Sequence, residues 1–284
     1  MSHYDGPKPD ASKGQKLFIV GVDESHVDSH EALLAARSFA KDTDLITLLS
    51  VVDKTKANDA TKKSILSSFV TYAQSDDRIT VVLAPKDTHS AAETLVNEAK
   101  AEDATMMILG SGTKLSQGTL GGTVSDVVKL SKRHILVNKP GRYLAPGKPK
   151  IVLFGTLGSD ACHAGLVELT SLLNPATDKL AVVTVSHHNG ERDKAILKEA
   201  QEFLAGTSLQ VTFDFVARTP GESVSAQLIK HADAIEATLL ACATSRNMTT
   251  NSLGSTTAYV ASHGAVSTLI LKVGGMQVPH KGVN

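Results

Sequence analysis

The feature that most constrains this chain is a long internal repeat. Residues 106–139 and 239–272 share one layout at an offset of 133 positions. Each copy runs from an apolar strand through a loop rich in Gly, Ser and Thr into a helix and a second apolar strand. The two copies are identical at Leu120/Leu253, Gly121/Gly254, Thr123/Thr256, Val127/Val260, Leu136/Leu269 and Lys139/Lys272. A unit that occurs twice predicts two consecutive domains of the same fold.

Apolar runs alternate with helical patterns along both halves of the chain. The predicted strands are 16–22, 44–52, 79–84, 105–110 and 134–138, then 150–156, 180–186, 209–217, 239–243 and 267–273. The predicted helices are 30–40, 64–73, 90–102 and 120–131, then 162–173, 192–206, 222–237 and one after the second loop. This alternation predicts an α/β chain, because strands joined by helices form parallel sheets covered on both faces.

A segment rich in Pro and Gly separates the two halves. Residues 139–150 (KPGRYLAPGKPK) contain three prolines and two glycines, which is typical of a linker. We therefore predict a first domain over 14–139, a linker over 140–149 and a second domain over 150–275. The remaining ends, 1–13 and 276–284, are predicted to be tails.

Composition argues against several classes of partner. The 29 Lys and Arg balance the 29 Asp and Glu, so we expect neither a nucleic-acid nor a membrane partner. No apolar run reaches the roughly 18 residues that a membrane-spanning helix needs. Cys162 and Cys242 have no zinc or redox spacing, which favours buried, reduced thiols. Together with an N-terminal stretch that lacks a signal-peptide core, this predicts a cytoplasmic protein.

Small residues cluster between the strand and the helix of the first repeat copy. Gly110-Ser111-Gly112 begins this loop, and Gly121-Gly122-Thr123 opens the helix. Such a loop before a helix N-terminus can hold phosphates through backbone N–H groups and the helix dipole. A tight strand-to-helix turn without a ligand explains the same glycines. Asp23, after the first strand, has the same two interpretations, as a ligand-contacting carboxylate or as a helix cap.

The element order, the element lengths and this loop together resemble the universal stress protein family, as two tandem copies over roughly 14–140 and 148–275. The resemblance implies two doubly wound, Rossmann-like domains, each with a five-stranded parallel sheet. Many members of that family bind ATP, and others have lost the motif. Members commonly pair through their last strand, so 134–138 and 268–272 would pair within one chain or between two chains.

The family's nucleotide motif is G-x2-G-x9-G-[S/T], with an Asp that ends the first strand. The resemblance therefore implies an adenine-nucleotide site, for ATP with Mg²⁺, formed by Val22, Asp23, Val51, Gly110, Gly112, Thr113, Gly121, Gly122 and Thr123. The match has departures. Thr113 stands where the second glycine is expected, the loop is about two residues short, and Gly122 occupies the hydroxyl position.

The second half departs further from the motif. Leu157 stands where the first half has Asp23, and Ala243-Thr244-Ser245 replaces Gly110-Ser111-Gly112. A Cβ hinders the close approach of a phosphate to the backbone. Only Gly254-Ser255 keeps the end of the motif, so the second domain is predicted to be a pseudo-domain.

Two functions remain open at this point. The first is a non-catalytic protein that binds ATP in its first domain. The alternative is a nucleotide-free scaffold, or an interaction subunit of a larger assembly or homodimer. An enzyme is not predicted, because the sequence contains neither a P-loop nor a Gly-x-Ser-x-Gly elbow, and it positions no catalytic base.

Overall fold

The computed structural model describes residues 6, 8–22, 27–69, 76–111, 119–141, 144–186, 190–245 and 254–274. The chain divides into two compact units. The first is Met1–Lys148 with Ala261–Ser267, and the second is Pro149–Val260 with Thr268–Asn284. Each unit contains a five-stranded sheet with helices between its strands, so the predicted α/β fold class is confirmed.

The sheet of the first unit has the strand order β3-β2-β1-β4-β5, with parallel pairing throughout. Its strands are β1 (Leu17–Val22), β2 (Leu45–Val52), β3 (Ile79–Pro85), β4 (Met106–Gly110) and β5 (His134–Asn138). Its helices are α1 (Val27–Phe39), α2 (Asp59–Ser68), α3 (Ala91–Ala101) and α4 (Gly122–Leu130), with 3₁₀ turns at Ala11–Lys13 and Lys54–Lys56. The strand order reverses between β1 and β4, which makes a topological switch point there.

The second unit repeats this order as β10-β9-β6-β7-β8. Its strands are β6 (Ile151–Gly155), β7 (Lys179–Val185), β8 (Gln210–Val216), β9 (Leu239–Ser245) and β10 (Ser267–Val273). Its helices are α5 (Asp160–Leu172), α6 (Gly190–Leu204), α7 (Val224–Ala234) and α8 (Ser255–His263). Strand β6 pairs in parallel with β7 and β9, as β1 does with β2 and β4.

The largest difference from the predicted elements is in α2. Apolar spacing predicted a helix over 64–73, whereas α2 begins at Asp59 and ends at Ser68. The helix begins earlier because Asn58 caps it: its side-chain Oδ1 accepts a hydrogen bond from the Thr61 N–H at 3.0 Å. The prediction followed the apolar residues and missed this polar cap. Residues 70–75 lie outside the described part of the chain.

Strand register fixes which residues of the two units correspond. Gly21 lies opposite Leu49 across β1 and β2, and Gly155 lies opposite Val183 across β6 and β7, so these strands correspond at an offset of 134. Val20 lies opposite Ile108, and Phe154 lies opposite Ala241, which lowers the offset to 133 at the fourth strand of each unit. The second unit therefore has one residue fewer between its second and fourth strands.

A buried carboxylate holds the start of the first two strands in each unit. In the second unit, Asp178 accepts hydrogen bonds from the N–H of Lys150 (2.8 Å), the N–H of Asn174 (2.8 Å) and the Nζ of Lys150 (3.0 Å). In the first unit, Asp44 accepts from the N–H groups of Lys16 (2.9 Å) and Lys41 (2.8 Å). The Lys150–Asp178 pair is almost fully buried, with side chains 6% and 0% exposed.

Removing the Asp178 carboxylate should be strongly destabilising. Asp178→Ala removes the carboxylate that faces the buried Lys150 ammonium and that accepts from two backbone N–H groups, so we expect a loss of about 3–5 kcal/mol of unfolding free energy. Denaturant unfolding measures this loss. Glu191→Ala is the control, because its pair with Lys194 is exposed and should change stability by less than about 0.5 kcal/mol. Equal effects of the two substitutions would refute the structural role of Asp178.

The turn before β3 should make stability depend on acid pH. A hydrogen bond from the Arg78 guanidinium lowers the pKa of Asp76 below its ordinary value, with the Nε–Oδ1 distance at 2.7 Å. A lowered pKa in the folded state means that the stabilisation is present above the unfolded pKa and is lost as pH falls through the folded one. Asp76→Asn should therefore lose less stability than wild type between about pH 5 and pH 3.

Urea unfolding at several pH values tests the Asp76 prediction. Asp126→Asn is a suitable control, because the Asp126 carboxylate is exposed and lies 3.5 Å from the Lys129 ammonium on the surface of α4. The unfolding free energy of Asp126→Asn should fall with decreasing pH as that of the wild-type protein does. Parallel pH profiles for wild type and Asp76→Asn would contradict the prediction.

Candidate functional site

A cavity of about 380 Å³ opens where β1, β2 and β4 end and α4 begins. This position is the switch point of the first sheet, where parallel α/β folds place their ligands. The volume is within the range of small-molecule sites in proteins. Its lining residues in the described part of the chain are Gly21, Val22, Asp28, Ser29, Ser50, Val51, Ala91, Leu95, Leu109, Gly110, Gly121, Gly122, Thr123 and Val124.

Most of the predicted site residues come together at this cavity. Those that line it are Val22, Val51, Gly110, Gly121, Gly122 and Thr123. The other three, Asp23, Gly112 and Thr113, lie outside the described residues. The two valines reach the cavity from the ends of neighbouring strands, and Gly121–Thr123 reach it from the start of α4.

The N-terminus of α4 supplies the polar end of the cavity. Gly121 is the N-cap residue, with φ −56° and ψ 148°, and no side chain caps the helix there. The Gly121 carbonyl accepts the first helical hydrogen bond, from the Ser125 N–H at 2.9 Å. The N–H groups of Gly122, Thr123 and Val124 therefore have no carbonyl partner within the helix. All three residues line the cavity, so the positive end of the helix dipole lies at its wall.

Close packing accounts for one of the predicted glycines. A Cβ on Gly110 would lie 2.4 Å from the Cβ of Asp28 and 3.1 Å from its carbonyl oxygen, because α1 passes directly over the end of β4. Gly122 is different, since a Cβ there would meet nothing within 4 Å and the residue is exposed. The glycine pattern therefore combines a packing requirement with an open helix start.

Sequence reasoning missed three polar residues of this cavity. Asp28 and Ser29 lie in the first turn of α1 and were not among the predicted site residues. Ser50 lies in β2 beside Val51 and is buried. Asp28 is the one charged side chain among the described lining residues. The sequence did carry a signal for Asp28 and Ser29, because polar residues directly follow β1. The chain leaves a parallel strand at the carboxyl edge of the sheet, so polar residues at that point lie close to a site at this edge.

The second unit has a cavity of about 290 Å³ at the corresponding place. The register of the two units shows how its wall differs. Cys242 corresponds to Leu109 and Ala243 to Gly110. The helices α1 and α5 both have thirteen residues and correspond at an offset of 133, so Cys162 corresponds to the buried Ser29. The remaining described lining residues are Gly155, Thr156, Leu157, Val183, Val185, Val224, Leu228, Gly254, Ser255, Thr256 and Thr257. None of the lining residues that the structure describes here carries a charge.

No group of three or more His, Cys, Asp or Glu side chains in the described ranges is placed to hold a metal ion. None of the helices described is both long and apolar enough to cross a membrane.

The fold is that of the universal stress proteins. No family model and no curated protein matches the sequence. Among solved structures, a universal stress protein from Archaeoglobus fulgidus DSM 4304 matches with a TM-score of 0.65 and 17% identity, over 91% of this chain and 97% of that one. A candidate universal stress protein from Pseudomonas aeruginosa UCBPP-PA14 matches with a TM-score of 0.65 and 13% identity, over 93% and 95%. The chain therefore has the universal stress protein fold in two consecutive copies.

The packing role of Gly110 predicts a contrast between two glycines of the same cavity. In the absence of any ligand, Gly110→Ala should lower the unfolding free energy by about 1–3 kcal/mol, because the added methyl group overlaps Asp28. Gly122→Ala should be neutral or slightly stabilising, because its Cβ has free space and alanine is the better helix former. Denaturant unfolding compares the two. Equal stability of the two variants would show that α1 does not pack on Gly110 as described.

Proposed function

We propose that this chain is a non-catalytic member of the universal stress protein family that binds an adenine nucleotide, ATP with Mg²⁺, in its first unit. The observation that carries the proposal is the first cavity. It joins apolar strand ends, a carboxylate and an uncapped helix N-terminus at the switch point of a parallel sheet. These are the features that a base, a ribose and a phosphate chain require from a protein.

The lining of the first cavity offers a suitable contact for each part of the nucleotide. Val22 and Val51 offer apolar contact to the base. Asp28 offers a carboxylate acceptor for ribose hydroxyls or a ligand for Mg²⁺, and Asp23 is proposed to share that role. The N–H groups at the start of α4 are donors for phosphate oxygens, and Gly122 leaves the backbone open to their approach. Gly112 and Thr113 remain proposed members of the loop that would cover the phosphates.

Binding without catalysis is proposed because the described lining residues of the first cavity supply no positive charge for phosphoryl transfer. Among the described residues that line it, none is a His, Lys or Arg. Phosphoryl transfer depends on positioned positive charge around the phosphates. We also propose a cytoplasmic location, in keeping with Cys162 and Cys242, which are both free and buried.

The second unit is proposed to be a pseudo-domain with respect to nucleotides. Its cavity is smaller than the first, and none of its described lining residues supplies a carboxylate like that of Asp28. Ala243 places a methyl group where the first unit has the hydrogen of Gly110. Both changes remove features that ribose and phosphate groups would use.

A nucleotide-free scaffold is the second candidate function. It is favoured by the lack of a cationic side chain among the described lining residues of the first cavity, since several phosphate charges would be held by helix N–H groups alone. In this alternative the chain acts through its surfaces, with a protein partner or a second copy of itself.

The proposal predicts a nucleotide-dependent gain in thermal stability. At a concentration of about one hundred times Kd, ATP should stabilise the fold by about 2.7 kcal/mol. A melting curve in the presence of ATP, ADP, AMP or GTP, with and without Mg²⁺, measures the gain. Gly121→Trp should abolish the gain by filling the first cavity, and Gly254→Trp should preserve it.

The two substitutions are matched because each adds the same side chain at the start of the equivalent helix. If no nucleotide shifts the melting curve of the wild-type protein, the scaffold function is favoured. If Gly254→Trp abolishes the shift and Gly121→Trp does not, the nucleotide site lies in the second unit and the assignment is wrong.

A further inference from the structure

The described wall of the second cavity carries no charged side chain, whereas Asp28 lies in the wall of the first. Cys162, in the first turn of α5, occupies the place of Ser29. Cys242 replaces a leucine on β9, so two thiols line one cavity. Val183, Val185 and Leu228 line the cavity with aliphatic side chains. The described part of the wall is therefore uncharged, and much of it is apolar.

The changes have not closed the cavity. The Ala243 methyl group lies against the backbone of α5 at Gly165, where a Cβ would approach the Ala243 Cβ to 2.4 Å. Gly165 thus accommodates the methyl group that β9 has gained relative to β4. About 290 Å³ remains open beside it. The second unit therefore keeps a cavity while its packing has been rebuilt around a different wall.

The thiols lie in a dry environment. Cys162 is 7% exposed and Cys242 is 5% exposed. Burial raises the pKa of the Cys242 thiol to about 12, so this group is neutral at physiological pH. The Ser159 hydroxyl lies 3.2 Å from the Cys162 Sγ and holds that side chain in place. An ionic ligand would have to give up its hydration here without a charged partner among the described residues.

One end of the cavity is polar but uncharged. Ser255, Thr256 and Thr257 form the first turn of α8, and their backbone N–H groups have no carbonyl partner within the helix. These donors suit a neutral acceptor such as a carbonyl or ether oxygen. Leu157 also lines the cavity and is 50% exposed. It presents a large apolar side chain where the first half has Asp23 in sequence.

We infer that the second cavity is a binding site for a small, uncharged, mainly apolar molecule that carries a hydrogen-bond-accepting oxygen. The apolar body lies against the aliphatic and thiol wall, and the oxygen accepts from the start of α8. This site is separate from the proposed nucleotide site, so either of the two proposals can fail while the other holds.

Fluorescence titration of the full chain tests the inference. The probe is prodan, an uncharged naphthalene dye with one ketone, and the comparison dye is anionic 1-anilinonaphthalene-8-sulfonate. Prodan should bind in a 1:1 ratio with a blue-shifted emission and an affinity at least about tenfold higher than that of the anionic dye. Gly254→Trp should abolish prodan binding, and Gly121→Trp should leave it unchanged.

Introducing a carboxylate should weaken prodan binding. Cys162→Asp adds a charge to the cavity wall and should lower the affinity about tenfold or more, whereas Cys162→Ala should keep it within about threefold. If Cys162→Asp fails to fold, Leu157→Asp supplies the charge at an exposed position, and a drop of several-fold is expected. Circular dichroism and a melting curve establish that each variant is folded.

Three results would overturn the inference. The first is the absence of prodan binding to the wild-type chain at the solubility limit of the dye. The second is prodan binding that Gly254→Trp leaves intact. The third is stronger binding of the anionic dye or of ATP that Gly254→Trp alone removes, which would make the second cavity an anion site.

Discussion

The parallel pairing of one central strand with neighbours on both sides is the constraint on which the rest of each unit depends. β1 pairs with β2 on one side and β4 on the other, and β6 does the same with β7 and β9. Because all these strands run in one direction, their carboxyl ends meet at one edge. The connections that follow β1 and β4 then leave space between them. The two cavities occupy that space.

The two units show that the same strand pairing is compatible with different side chains around the cavity. Strand register is kept almost residue for residue, and a buried aspartate holds the first two strands in both copies, as Asp44 and Asp178. The side chains that line the two cavities differ, as the pairs Leu109/Cys242 and Ser29/Cys162 show. A side chain that faces an open cavity has space beside it, so its polarity can change while the fold remains. This is why one fold supports two cavities of unlike polarity.

The glycines illustrate how packing and binding use the same residue type for different reasons. Gly110 is required by the approach of α1, and the second unit meets the same crowding by placing Gly165 on the helix instead of the strand. Gly122 has free space around it and leaves the start of α4 accessible. A sequence motif written in glycines therefore mixes two physical requirements. The two requirements can be distinguished only from the atoms that surround each glycine in the structure.

The sequence by itself determined the strands, the helices and their duplication. Apolar runs must be buried and helical spacing is local, so β5 and β10 were predicted with the bounds observed. It also placed Val22, Val51 and the start of α4 at the carboxyl ends of strands, where the structure has a cavity, because the ends of strands are visible in the pattern. The cap at Asn58 is a local feature too, but the prediction of α2 followed the apolar residues after it and missed the cap.

Tertiary structure alone decided that Asp28 and Ser50 join the first cavity, that Gly110 packs on α1, and that Cys162 and Cys242 line one cavity. Those facts depend on contacts between residues that are far apart in the chain, and the hydrophobic pattern of a single sequence carries no record of such contacts.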